Sequence, residues 1–306
     1  MCGLPEGGLM DLEASALAPP RRRMVPISNR WGAGEMAVLD FGDPSRPVDL
    51  VFVHANGFNA RTYRSLLQPL SQVRRIWAPD LRGHGLSRLP TRLEGRRNWH
   101  DHRDDLVSLL DHLEGPPVAL AGHSIGGTSG LMAAAERPGR VAGLLLLDPV
   151  IWRRGMVLAM NLPMLDRMAG RNPMVAATLR RRAIFDSREQ ALAAYRGRGA
   201  FRGWPDGVLA DYLADGLQPT GRGLELACAP AWEASNYAAQ AHDPWRALRR
   251  YDGPVQVMKA ETGSLCAVSP GARSGGPLDV RTVSGGHLFP MTHPHGLGQA
   301  LLDLSA

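Results

Sequence analysis

From about residue 49 the sequence alternates short apolar runs with segments of helical periodicity, and this rhythm constrains the fold more than any other feature. Val48–His54 is a buried-strand run that ends in a glycine-containing loop. Asn59 is placed to cap a helix whose apolar residues Tyr63, Leu66, Leu67 and Leu70 fall at i, i+3, i+4 and i+7. Arg75–Ala78 is a further short strand closed by Pro79 and Asp80. Leu106, Leu109, Leu110 and Leu113 repeat the helical spacing until Gly115 and two prolines stop it. Val118–Ala121, Ile125–Glu136 and Val141–Leu147 then read as strand, Ala-rich helix and strand. Strands joined through helices run parallel and need cover on both sides. The expected class is therefore α/β, with a mostly parallel central sheet and helices on both faces.

The rhythm lapses between about 150 and 243, where helices are predicted and no strand is. They cover Met174–Ile184, a segment capped by Ser187 with Gln190 three residues on, and one opening after Pro205-Asp206. Strands resume at Val255–Lys259 and Val280–Val283, and a helix from about His295 to Leu304 closes the chain. A helical insert inside such a sheet is a cap. Residues 24–149 and 244–306 are thus expected to form the core and 150–243 the cap. Residues 1–23 have no continuous apolar stretch and read as a disordered leader rather than a secretory signal, with Met24 opening the first strand.

Composition removes several function classes. Hydrophobic residues make up 44% and charged residues 21%, too apolar for a disordered chain. No apolar run approaches the roughly 18 residues of a spanning helix, so no membrane partner is expected. The net charge is +6, and among the 35 basic residues only Lys259 is lysine. Arginines are scattered, with tight runs only at Arg21–Arg23 and Arg180–Arg182, so no phosphate track and no nucleic-acid partner are expected. Cys2, Cys228 and Cys266 stand far apart without a C-x-x-C pair, which fits a reducing, cytoplasmic setting. His100-x-His102 and His293-x-His295 lack a third ligand at a recognised spacing, so no metal or cofactor is expected.

The segment that carries chemistry is Gly122-His123-Ser124-Ile125-Gly126-Gly127, a G-x-S-x-G between a strand and a helix. A serine on such a sharp turn has strained dihedrals, and small residues two before and two after it let the backbone pass. The helix that follows aims free N–H groups and its positive dipole end at the site, which suits an oxyanion. A serine hydroxyl in that role needs a base to activate it.

With this segment, the chain resembles α/β-hydrolase-fold enzymes that carry a helical cap after the sixth strand. The similarity runs from about Val51 to Pro294. It passes through His54-Ala55-Asn56-Gly57-Phe58, then Pro79-Asp80-Leu81-Arg82-Gly83-His84-Gly85-Leu86-Ser87, the serine segment and Gly285-Gly286-His287. The resemblance implies Ser124 as nucleophile and His287 as general base, with His293 and His295 as the other candidates. It implies oxyanion N–H groups from Ile125 and from Asn56 or Gly57, because Ala55 stands where the family commonly has glycine. His54 is expected to be a structural hydrogen-bonding residue, and His84 and His123 orienting or packing residues.

The third member departs from the family pattern. The usual acid lies in a Gly-Glu-x-x-Asp-like stretch, which here reads Lys259-Ala260-Glu261-Thr262-Gly263-Ser264. Glu261 is the carboxylate left in it. Asp148, at the end of the Leu144–Leu147 strand, is where some relatives place the acid. Both fall at the carboxyl edge of the sheet and both satisfy the chain order serine, acid, histidine. Glu261 is slightly favoured.

Serine rather than aspartate at this turn argues against haloalkane dehalogenase and epoxide hydrolase chemistry and for acyl transfer to a small-molecule substrate. The expected activity is that of a serine hydrolase acting on a carboxylic ester, lactone, thioester or amide. A small-ligand receptor with weak turnover, or a lyase or cofactor-free oxidase on the same fold, is the alternative. Phe58, His123 and Trp204 are the candidate substrate contacts. Cap residues Phe201, Tyr212, Trp232, Tyr237, Met156, Met160 and Met164 supply an apolar inventory around them. Arg196, Arg198 and Arg202 raise the question of an anionic substrate.

Overall fold

The computed structural model describes residues 17–162 and 172–304. Expectations for residues 1–16, Cys2 among them, and for Met164 fall outside these residues, as does the side chain of His295. In chain order the strands are β1 (Arg21–Asn29), β2 (Gly32–Phe41), β3 (Leu50–Val53), β4 (Ile76–Pro79), β5 (Val118–His123) and β6 (Val141–Leu147). They continue as β7 (Ile184–Phe185), β8 (Leu217–Thr220), β9 (Gly223–Leu226), β10 (Val255–Ala260) and β11 (Leu278–Val283). Eight of them form one sheet in the order β1-β2-β4-β3-β5-β6-β10-β11. β2 pairs antiparallel with β1 and β4, and every other neighbour in the sheet is parallel. The expected mostly parallel sheet is what the chain builds.

The longer helices are α1 (His100–His112), α2 (Ile125–Glu136), α3 (Arg154–Met160), α4 (Pro173–Leu179), α5 (Arg188–Tyr195), α6 (Asp206–Gly216), α7 (Pro230–Ala238), α8 (Pro244–Arg250) and α9 (His295–Asp303). Strand side chains alternate between two buried clusters, as a period of two requires. Val51, Val53, Leu120, Leu144 and Leu146 pack with Leu106 and Leu109 of α1, Leu131 of α2 and Leu248 of α8. Leu50, Phe52, Ala121, Leu145 and Leu147 face the other way, toward Tyr63 and Leu67 and toward Leu297 and Leu301 of α9. Strands covered on both faces read in sequence as unbroken apolar runs, which is why Leu144–Leu147 is so conspicuous. Each such leucine contributes about 1.5–3 kcal/mol by leaving water. Among the described residues, no helix is long and apolar enough to cross a membrane.

Three expectations change. The leader does not extend to residue 23: Arg21–Arg23 open β1 and pair with Val38–Asp40 of β2. Buried Asp40 takes Arg21 and Arg23, and Arg22 bridges Asp80 of the core to Asp215 of the cap, so these arginines are structural. The segment 150–243 expected as a helical cap is not purely helical, because β7, β9 and β8 make a three-stranded antiparallel sheet inside it. These strands are two to four residues long, and Pro219 sits in edge strand β8, so no alternating pattern announces them. The helix expected to run from Met174 to Ile184 ends at Leu179, and Ile184 belongs to β7. The Ser187 cap is present, its side chain accepting from the Gln190 N–H.

Candidate active site

Ser124 sits between β5 and α2 with φ 56° and ψ −120°. The close packing of this turn explains its glycines. A Cβ on Gly122 would lie 2.6 Å from the Gly126 carbonyl carbon, and one on Gly126 would lie 2.4 Å from the Val53 carbonyl oxygen. The strand can therefore turn into the helix only where side chains are absent. Among the described residues, Ser124 and Asp148 are the two non-glycine residues with positive φ, 56° and 39°. Such backbone costs on the order of 1–3 kcal/mol each and persists where the surroundings enforce it.

These two strained residues lie at opposite ends of one hydrogen-bonded chain. Ser124 Oγ is 3.0 Å from His287 Nε2, and His287 Nδ1 is 2.6 Å from Asp148 Oδ2. Asp148 is wholly buried and fully satisfied. Its Oδ1 accepts from the Ala260 N–H at 3.1 Å and the Ser264 hydroxyl at 2.5 Å, and its Oδ2 also accepts from the Leu265 N–H at 3.1 Å. Burial pushes the carboxyl up, but the His287 and Ser264 donors outweigh it and hold Asp148 below the ordinary carboxylate value. An ionised Asp148 fixes the proton on His287 Nδ1, which leaves the Nε2 lone pair facing the serine hydroxyl.

Glu261, slightly favoured from the sequence, lies off this chain. It is exposed, and its carboxylate accepts a long 3.4 Å bond from Ser284. Its own N–H donates to the Val283 carbonyl at 2.9 Å, which extends the pairing of β10 with β11 by one residue. Asp148, by contrast, turns inward at φ 39°. Ser264, at a position where the family pattern has aspartate, reaches back to hold it. His293, an alternative base, contacts the neighbouring Thr292 hydroxyl at 2.9 Å and is exposed.

The loop after β3 separates its three N–H groups. Ala55 N–H donates to the Tyr63 hydroxyl at 3.1 Å and Gly57 N–H to His84 Nε2 at 3.1 Å. The N–H of Asn56, between them, has no acceptor among the described residues, and Asn56 lines the same cavity as Ser124 and Ile125. The peptide that carries this N–H is oriented by its other end, because the Ala55 carbonyl accepts from His54 Nδ1 at 2.8 Å. His54 Nε2 accepts from the Leu81 N–H, and burial pushes its pKa down to about 4, so the ring stays neutral. Ile125 is the first residue of α2, where N–H groups have no intrahelical acceptor. Both N–H groups thus belong to residues that line the cavity together with Ser124.

His123 does not contact the cavity. It is buried behind His287, donating from Nε2 to the His287 carbonyl at 2.9 Å and accepting at Nδ1 from the Tyr63 hydroxyl at 2.7 Å. Burial lowers its pKa to about 3, which keeps that one proton in place. Its expected substrate contact is corrected to a support for the base loop. Trp204 is corrected likewise, since it packs 5.2 Å behind Phe58 between ring centroids and is not part of the cavity lining. Phe58 does line the cavity. Tyr63 and Ser264 carry no mark in the sequence because each contacts the site through another residue, and no spacing announces such a place.

The cavity occupies about 800 Å³ and is lined mainly by apolar and aromatic groups, including Phe58, Trp152, Met174, Tyr195, Phe201 and Leu265. Arg198 is at its wall, whereas Arg196 pairs outward with Asp206 and Arg202 is not part of the lining. Arg181 also lines it but is occupied by Glu233 and lies within 3.3 Å of the Tyr195 and Tyr212 hydroxyls. Among the described residues, no group of three or more histidine, cysteine, aspartate or glutamate side chains is arranged to hold a metal.

Comparison with known proteins agrees with the fold. A family model described as "Alpha/beta hydrolase family" matches residues 50–300. The chain is 28% identical to the magnesium-chelatase 30 kDa subunit of Rhodobacter capsulatus over 94% of each chain. It is 26% identical to 2-(acetamidomethylene)succinate hydrolase of Mesorhizobium japonicum over 81% of this chain and 82% of that protein. A crystal structure of E-2-(acetamidomethylene)succinate hydrolase superposes with a TM-score of 0.71 at 22% identity, covering 93% of this chain and 99% of the other.

Proposed function

The chain belongs to the alpha/beta hydrolase family and is a hydrolytic enzyme of that family, and from that premise we propose that it cleaves a carboxylic ester or related acyl bond through an acyl-enzyme on Ser124. The observation that carries the reading is the unbroken chain from Ser124 Oγ through His287 to Asp148, facing the cavity. His287 Nε2 takes the hydroxyl proton as Ser124 Oγ bonds to the substrate carbonyl carbon. The carbonyl oxygen gains the charge and is held by the N–H groups of Asn56 and Ile125. Each such donor contributes about 3–4 kcal/mol to the transition state. The imidazolium, stabilised by Asp148, returns its proton to the leaving group as the carbon–leaving-group bond breaks. Water, deprotonated by the same Nε2, then cleaves the acyl–serine bond and restores the hydroxyl.

Nothing in this sequence of steps needs a cofactor or discriminates ester from lactone, thioester or amide. That choice falls to the cavity, whose aromatic wall and volume suit a substantial apolar acyl or leaving group. A fluorophosphonate probe tests the nucleophile, and p-nitrophenyl esters of rising chain length run beside lactones test the bond and size the cavity. The expected result is labelling and turnover that Ser124→Ala abolishes. Folded protein that neither labels nor turns over would sink the reading.

A further inference from the structure

Cap helix α7 pairs with Arg181 of the cavity wall through Glu233, and it also makes polar contacts with the loop that carries Asn56. The Asn56 side chain donates from Nδ2 to the Glu233 carbonyl at 3.1 Å and accepts at Oδ1 from Asn236 Nδ2 at 2.7 Å. Asn236 Oδ1 in turn lies 3.1 Å from His102 Nε2 on core helix α1. The polarity of this chain is fixed at one end, because the Glu233 carbonyl can only accept. Asn56 must therefore present its N–H₂ to Glu233 and its oxygen to Asn236, and Asn236 must present its N–H₂ to Asn56 and its oxygen to His102. His102 is then the donor, from Nε2. Burial lowers its pKa to about 4, which keeps the ring neutral with a single proton for that bond.

Asn236 is held from every side. It is 1% exposed, and its own carbonyl accepts from Trp99 Nε1 at 3.0 Å and Gln240 Nε2 at 2.8 Å. The neighbouring contacts of α7 on the same loops are equally close. A Cβ on Gly57 would lie 2.7 Å from Glu233 Oε1, and one on Gly83 would lie 2.3 Å from Trp232 Nε1. Glycine at both positions lets the helix sit directly on the loop backbone. The loop around Asn56 is thus pinned on its core side by His54, Tyr63 and His84, and on its cap side by Asn236.

We infer that Asn236 is a positioning residue for the Asn56 N–H, so that a side chain of the cap sets the geometry of the oxyanion site in the core. The inference rests on the acyl-transfer reading above. In that reading the cap completes the site electrostatically as well as covering it, because the Asn56 peptide gains room to tilt when its side chain loses the Asn236 partner. Tyr237 also hydrogen-bonds the Asn56 side chain, so removal of Asn236 loosens the loop without freeing it. A displacement of about 1 Å at a reacting group costs on the order of 10²-fold in rate.

The test compares Asn236→Leu, which keeps the size but neither donates nor accepts, with the unaltered full chain on a matched pair of substrates. One is an aryl oxoester and the other its thionoester, in which sulfur replaces the carbonyl oxygen. N–H donors serve an oxyanion far better than a developing thiolate, so the oxoester-to-thionoester ratio of kcat/KM reports the oxyanion site. Both rates are measured on one sample, so the folded fraction cancels from the ratio. The expected result is an oxoester kcat lowered about 30- to 100-fold, KM within about threefold, and a ratio lowered about tenfold. Asn56→Ala should behave alike, and the double variant should be no worse than the poorer single one. An unchanged ratio overturns the inference even where total activity falls, and so do additive losses in the double variant. Absence of Ser124-dependent turnover of either ester in the unaltered chain is a different result, which overturns the acyl-transfer reading itself and the inference with it.

Discussion

Replacing Asp148 by asparagine changes one atom in a carboxylate that accepts four hydrogen bonds, and the consequences can be worked through one donor at a time. Asparagine tolerates the positive φ of 39° at this position, so the backbone need not move. Its single oxygen can serve one pair of donors, either Ala260 N–H with Ser264 Oγ or Leu265 N–H with His287 Nδ1. The Ser264 hydroxyl can rotate and His287 can change tautomer, but the two backbone N–H groups cannot turn. One of them is therefore left facing an N–H₂ group, at a stability cost of about 1–3 kcal/mol. If the N–H₂ faces His287, the ring moves its proton to Nε2 and presents a donor to Ser124 where an acceptor is needed. If the oxygen faces His287, the imidazolium formed on proton transfer loses its counter-charge. Either outcome predicts a fall in kcat of about 10⁴-fold, equivalent to about 5.5 kcal/mol, with a small change in KM. The parallel variant Glu261→Gln should stay within about twofold of the parent, since Glu261 is exposed and meets only Ser284 at 3.4 Å. Steady-state turnover of a p-nitrophenyl ester by both variants decides the matter. A larger loss in Glu261→Gln than in Asp148→Asn would refute the assignment and the hydrogen-bond argument under it.

Other expectations follow from the same contacts. Gly126→Ala drives a Cβ to within 2.4 Å of a backbone carbonyl, so it should lower stability by about 1–3 kcal/mol and remove activity; an unchanged melting temperature would contradict the packing account. Phe58→Leu should alter the chain-length preference for esters through KM, whereas Trp204→Phe, behind the cavity wall, should leave KM within about twofold; the reverse pattern would restore Trp204 as a substrate contact. Acid should destabilise the fold well above the carboxylate range. His54 and His102, at about 4, and His123 and His242, at about 3, are held neutral chiefly by burial, whereas the unfolded chain protonates them near 6.5. Between pH 6.5 and about 4 these four histidines take up about four protons on unfolding, which outweighs the roughly two released by Asp80 and Asp105, raised by burial to about 6, so stability falls as pH falls. Urea unfolding that gives equal stability at pH 7 and pH 5 would refute that account.

Much of the fold was legible because its central strands are covered on both faces and so read as continuous apolar runs. The serine turn was legible because its glycines answer a steric demand local to six residues. The parts that were not legible have the opposite character. β2 opens with Gly32-Ala33-Gly34, and the cap strands are two to four residues long with proline in one of them, so neither carries a period long enough to detect. Arg21–Arg23 looked like a charge run in a leader. Their partners Asp40, Asp80 and Asp215 stand 17 to 193 positions away, and only folding brings them together.

The two candidate acids show why spacing alone stopped short. β6 and β10 are parallel neighbours with Leu147 level with Met258, so both Asp148 and Glu261 follow strand ends at the same edge of the sheet. What separates them is the backbone beyond each strand. At Glu261 the ladder continues for one more bond, to Val283, and the side chain emerges into solvent. At Asp148 the N–H bonds to the Met258 carbonyl while φ turns positive, which rotates the carboxylate under the strand end. The residues that reward this turn, Ala260, Ser264 and Leu265, all come from the strand and loop where the family pattern would carry its aspartate. That loop still serves the acid, but by donating three hydrogen bonds to it instead of supplying it. A serine at position 264 is therefore not a lost catalytic residue but the partner that a carboxylate at position 148 requires. Ser264→Ala should weaken Asp148 as an acceptor for His287 and lower kcat by about tenfold, well short of the loss in Asp148→Asn. Equal activity in Ser264→Ala would show that the two backbone N–H groups suffice to hold the carboxylate.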